Sequence, residues 1–184
     1  MGATRRIARV AARVALAVTS GGWAFPADAA AQAPAPEPRL WIGAGVGAGY
    51  LSNEVDNDAG LALNAHVAYQ RGAHLITARG GMLAEIFGDE LTEVGLLYGR
   101  GTTDEATHAS ISAGMAWVHL DECPDGLFGS GSCDSASVLG VPIVAEVAWR
   151  PARIFGVGLQ GFANLNDQST FYGAALIVEV GRLR

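Results

Sequence analysis

Residues 39–52 read RLWIGAGVGAGYLS. Glycine fills every second position from Gly43 to Gly49, with Ile42, Ala44, Val46, Ala48 and Tyr50 between. Period-two alternation is the mark of a strand, because successive side chains point to opposite faces. Glycine is a poor strand former, since it packs no side chain and loses the most backbone freedom on ordering. Four of them on one face fit a wall whose inner side has little room and must admit side chains from elsewhere. The stretch therefore predicts a strand with one bulky apolar face and one deliberately small face.

The same alternation recurs seven more times downstream. The second strand is expected at about 61–70, with Leu61, Leu63, Ala65, Val67 and Tyr69 on the apolar parity and Asn64, His66 and Gln70 on the other. After Arg71-Gly72-Ala73, a third sets Ile76, Ala78, Met82, Ala84 and Ile86 against Thr77, Arg79, Gly81, Leu83 and Glu85. Further strands are expected at about 93–99, 108–118, 139–149, 155–165 and 170–183, each with one apolar face and one small or polar face. The chain thus reads as all-β, and an even number of strands allows a sheet to close on itself without an edge.

The first 31 residues read differently. Arg5, Arg6, Arg9 and Arg13 precede an apolar run from Val14 to Phe25, and Ala29-Ala30-Ala31 lies just ahead of Gln32. A basic start, an apolar stretch and a small-residue cleavage site make a secretory signal peptide. Residues 32–39, beginning QAPAPEP, are a proline-rich lead-in, and 40–184 form the strand-built domain. Removing residues 1–31 removes four arginines and Asp28, which moves the net charge from −6 to −9. An acidic domain without a lysine is unsuited to nucleic acid, whose binding needs clustered cations.

Three features separate a membrane wall from a soluble sandwich. Strands of about 9–11 residues match a tilted crossing of a bilayer. The aromatics Tyr50, Tyr69, Tyr98, Trp117, Trp149, Phe155 and Tyr172 fall near strand ends on the apolar parity, as in two interfacial girdles. The opposite parity carries too few charges for a watery exterior, and so reads as the inside of a narrow closed barrel. Connections after strands two and six are short, whereas the one spanning 120–136 is long; residues 100–107 are long for a turn on the short-turn side.

With these residues in view, the domain resembles the small eight-stranded up-and-down outer-membrane barrels of the OmpA/OmpX type along its whole length after the signal. The stretch GVPIVAEVAWRPARIFGVGLQGFANLNDQSTFYGAALIVEVGRLR is also similar to the C-terminal half of an uncharacterised outer-membrane barrel family. The resemblance implies a monomer in the bacterial outer membrane, contact with its lipid and delivery by the barrel-insertion machinery. It brings no assigned activity and no cofactor. The sequence departs from such barrels in ending at Arg184, where an aromatic residue is usual.

Few groups carry chemistry. Cys123 and Cys133 are the only cysteines and share the longest external loop. An exported pair is expected as a disulfide, stabilising by about 2.8 kcal/mol on loop entropy, because two thiols without a histidine are too few for zinc. The inward charges counted are Arg79, Glu85, Glu146 and Glu179. Pairing about Gly72 sets His66 opposite Arg79, and pairing about the later turns sets Glu146 and Glu179 on either side of Gly158. Arg79 is then expected to reach Glu146 and Glu179, with His66 and Gln160 adding hydrogen bonds: a packed polar lumen serving structure, since buried charges must be paired.

His108-Ala109-Ser110 resembles the His-x-Ser pair of outer-membrane lipid A deacylases, but both residues share the lumen parity whereas that chemistry faces lipid. Asp56-Asn57-Asp58-Ala59-Gly60 lacks the further ligands of a calcium loop. The reading is therefore a structural or surface-interaction barrel, working through its external loops on a ligand the residues do not specify. The alternatives are a lipid-modifying hydrolase and a soluble periplasmic ligand-binding barrel with its apolar face turned inward. No metal site is expected.

Overall fold

Alternating side chains give the chain eight strands, each hydrogen-bonded to its neighbours in sequence: β1 (Arg39–Ser52), β2 (Asn57–Arg71), β3 (His74–Ala84), β4 (Glu90–Gly101), β5 (Thr107–Glu122), β6 (Asp134–Trp149), β7 (Phe155–Leu165) and β8 (Thr170–Arg182). β1 also pairs antiparallel with β8, and the sheet closes into a barrel. A computed structural model describes residues 37–52, 57–84, 90–102, 104, 106–122, 134–168 and 170–183.

The strands run to 11–16 residues, longer than the 9–11 that alternation alone suggests. The excess lies mostly at the end opposite the chain termini. There β5 and β6 continue as a paired ribbon to Glu122 opposite Asp134, beyond the expected start of strand six at Leu139. Residues 134–137 read Asp-Ser-Ala-Ser and lack an apolar face, so periodicity does not reveal a ladder that stands clear of lipid. Within β6, Pro142 contributes no N–H, and the pairing with β5 skips from Ala113 opposite Ile143 to Ala116 opposite Gly140.

Parity is as the alternation indicates. The outward positions of every strand are apolar and exposed, reaching about 70% for Val94 and Leu176. Two aromatic rows bound this belt. Tyr69, Tyr98, Trp149 and Phe155 lie toward the end that carries the termini. Tyr50, Tyr172 and Trp117 lie toward the other end, and the directly paired Tyr50 and Tyr172 rings stack at 5.8 Å. Beyond the first row stand exposed Arg71, Arg100, Arg153 and Arg182, while exposed Glu90 and Asp167 stand at the opposite end. An inward-facing apolar parity, which the soluble-barrel alternative requires, is the reverse of this arrangement.

Connections differ between the two ends. At the terminal end the β2–β3 hairpin turns in two residues, with Gly72 at φ 60° supplying the left-handed conformation. At the same end Thr102, just past β4, is tied to β5 and β2: its N–H donates to the Ala109 carbonyl at 2.8 Å, and Gln70 Nε2 donates to its carbonyl at 2.9 Å.

Candidate lumen site

The inner parity fills the barrel in layers. Toward the far end the filling is apolar: Leu51, Leu83, Leu91, Val118, Leu120, Phe162 and Phe171 are buried together. This corrects the expectation of a polar lumen throughout. In the far half, bulky apolar side chains exclude water and no charge needs neutralising.

A polar layer follows. Arg79 on β3 forms an ion pair with Glu93 on β4 rather than the expected link to Glu146 and Glu179. Its guanidinium lies 5.1 Å from the centre of the Phe162 ring on the far wall, and Asn164 Nδ2 donates to Glu93 Oε2 at 2.8 Å across the lumen. Glu93, the first residue of the strand expected at 93–99, lies on its inward parity and joins the inward charges. His66 does lie opposite Arg79, as pairing about Gly72 indicates.

Deeper toward the terminal end, Arg150 lies fully buried and holds Glu179 with two hydrogen bonds, Nε to Oε2 at 3.0 Å and NH2 to Oε1 at 3.1 Å. The expectation that Glu146 and Glu179 flank Gly158 is two residues out on each strand. Glu179 pairs with Gly156, and Glu146 pairs with Gln160, whose amide donates to Glu146 Oε2 at 3.0 Å. Arg150 lies just past the expected end of strand six at Trp149, where Arg-Pro signals a turn. Extending the even-numbered inward parity of β6 by one residue places it inside, which is the signal that would have found it.

Trp41 caps this layer. Its ring is 4.5 Å from the Arg150 guanidinium carbon and meets His108 edge-on at 5.4 Å. Leu75, Ala68 and Leu183 complete the plug. His108 makes no hydrogen bond to Ser110, and both lie on the inward parity, so the pair lacks the contact and the lipid access that deacylation needs.

The glycines shape this interior. Gly43 is paired with His66, and a Cβ there would overlap the imidazole. A Cβ at Gly156 would come within 2.9 Å of Glu179 Oε2 and 3.1 Å of Arg150 Cγ, and one at Gly81 within 3.2 Å of Glu93. His66, Glu179 and Glu93 thus each rest over a glycine of the adjacent strand.

His66, Glu146 and Glu179 are brought together: one ligating atom from each lies within 4.8 Å of the others, and all three residues are buried. They come from β2, β6 and β8, and β2 and β6 are four strands apart in a ring of eight, hence on opposite walls. An adjoining cavity, lined by His66, Ser110, Ser112, Glu146 and Gln160 among others, has room for about one water. Glu85, Cys123, Cys133 and Asp56 lie outside the described residues, as do 1–36 and Arg184.

No protein-family model matches the chain, and no curated protein sequence does. Solved structures do. Neisserial surface protein A superposes with a TM-score of 0.66 at 9% identity, over 77% of this chain and 96% of that one. The attachment invasion locus protein Ail of Yersinia pestis, in complex with the heparin analogue sucrose octasulfate, gives 0.58 at 11% identity over 79% and 98%. The N-terminal β-barrel domain of Pseudomonas aeruginosa OprF gives 0.56 at 14% identity over 80% and 99%. These are small outer-membrane barrels, and the likeness at such identities is one of fold.

Proposed function

We propose that this chain, which has the fold of the small eight-stranded outer-membrane barrels, is an integral outer-membrane protein with a structural or surface-interaction role and no catalysis. The observation that carries the reading is the exposed apolar belt bounded by two aromatic rows around a filled lumen. A water-exposed surface of that kind would aggregate, whereas a bilayer solvates it. The filled lumen leaves no route for solutes of porin size. Export by residues 1–31, insertion by the barrel-assembly machinery, a monomeric state and a Cys123–Cys133 disulfide complete the proposal.

Orientation follows from charge. Arg71, Arg100, Arg153 and Arg182 collar the end with the short turns, where anionic phospholipid headgroups would meet them, and the acidic end then faces outward. Ail is solved with a sulfated polyanion; the acidic rim here, with Glu90, Asp121 and Asp167, favours a cationic partner instead. Membrane fractionation tests the assignment. The protein should resist extraction by carbonate and migrate faster on gels when unheated than when boiled. Release into buffer or carbonate would overturn it, and a mass shift in lipid A on overexpression would replace the structural role with a lipid-modifying one.

A further inference from the structure

We propose that His66, Glu146 and Glu179 form a binding site for one divalent transition-metal ion of the zinc type inside the barrel. Geometry is the first support. Three ligating atoms from three strands converge within 4.8 Å in a fully buried place. His66 Nε2 stands 4.0 Å from Glu146 Oε2, too far for a hydrogen bond. Two ligands of a tetrahedral zinc stand about 3.4 Å apart, so the pair would draw together by about half an ångström on binding.

Charge is the second. Among the described residues the lumen buries three carboxylates, Glu93, Glu146 and Glu179, against two guanidiniums, Arg79 and Arg150. Arg79 pairs with Glu93 and Arg150 with Glu179, so Glu146 has the neutral Gln160 amide, the imidazole and the Glu179 carboxyl group as its immediate neighbours, with the Arg150 charge shared with Glu179. A buried carboxylate without a countercharge of its own is costly, so this point in the lumen favours a cation.

The surroundings suit one. Arg150 holds Glu179 and Gln160 holds Glu146, which orients both carboxylates as outer-shell partners orient metal ligands. Gly43 leaves the space in which the imidazole lies, and the water-sized cavity beside His66 and Glu146 has room for a fourth, water ligand. One imidazole and two carboxylates with a water is a donor set zinc accepts, whereas calcium wants six or more oxygens and magnesium an octahedron. Because both mouths of the lumen are packed, the ion would enter as the strands close, and would tie β2, β6 and β8 together.

The test uses the untagged full chain, unfolded in urea and refolded into detergent micelles with chelator, zinc chloride or cobalt chloride. After desalting, the zinc-refolded protein should retain one zinc per barrel, and the cobalt-refolded protein should show visible absorption from nitrogen and oxygen ligation. His66→Asn and Glu146→Gln should each weaken retention at least tenfold while gel mobility still reports a folded barrel. His119→Ala, which removes the exposed His119–Asp121 pair at the rim, should leave retention unchanged. Retention below a tenth of an equivalent in the wild type would overturn the proposal and assign a proton to the site. Retention unaltered in both lumen variants, or abolished by His119→Ala alone, would overturn it as well.

Discussion

Gly43 lies directly across the β1–β2 ladder from His66, and the absence of a side chain at residue 43 is what lets the imidazole lie against the wall. The glycine run of β1 is thereby a set of spaces matched to particular residues. Gly45 shows the same relation, since a Cβ there would meet Ile177 at 2.7 Å and Asn64 at 2.9 Å.

Gly43→Ala should therefore destabilise the barrel by about 1–3 kcal/mol through overpacking, although alanine is the better residue in an ordinary strand. Ala44→Leu, one position along and facing lipid, should change stability by less than about 0.5 kcal/mol. Urea unfolding in micelles, followed by tryptophan fluorescence, compares the two. Equal effects would remove the distinction between the faces.

Arg150→Leu should cost about 3–5 kcal/mol by leaving the Glu179 carboxylate buried without its guanidinium. The double variant Arg150→Leu, Glu179→Leu should recover most of that loss, because both charges then leave together. A double-mutant cycle on the unfolding midpoint checks the coupling. Additive effects would show that the two hydrogen bonds carry little energy.

Leu96 is exposed at 62% near the middle of the apolar belt. Leu96→Arg should cost about 2–4 kcal/mol in a bilayer, while Leu40→Arg, near the collar of arginines, should cost about 0–1 kcal/mol. Folding into phospholipid vesicles measures both, and no depth dependence would contradict the placement of the belt.

Thiol titration of the purified, unreduced protein should find no free thiol, given the proposed Cys123–Cys133 bridge. Its removal should lower stability by up to about 2.8 kcal/mol. Two titratable thiols in protein kept from reductant would refute the bridge.

Particular residues show what was legible. Parity needed only local chemistry: the backbone turns each successive side chain to the opposite face, so His66, Arg79, Glu146, Gln160 and Glu179 could be assigned inward from alternation. Glu93 was open to the same reasoning. Arg150 was hidden because a turn signal, Arg-Pro, begins at the residue that the strand's parity carries one step further inward.

Ladder partners were harder. A short hairpin such as β2–β3 fixes its own register, and His66 falls opposite Arg79 as expected. The five-residue link from Arg150 to Ile154 does not, and the pairings beyond it slipped by two residues.

The sequence by itself determined the number of strands, the face each residue takes and the apolar belt, because these follow from a period of two along one strand. Only the tertiary structure decided that Arg79 meets Glu93, that Arg150 meets Glu179, and that His66 and Glu146 meet from opposite walls. The Arg79–Glu93 pair is diagonal across the β3–β4 ladder and depends on that register, whereas the meeting of His66 and Glu146 spans the lumen and depends on the accumulated stagger of the strands at closure, a quantity no single segment encodes.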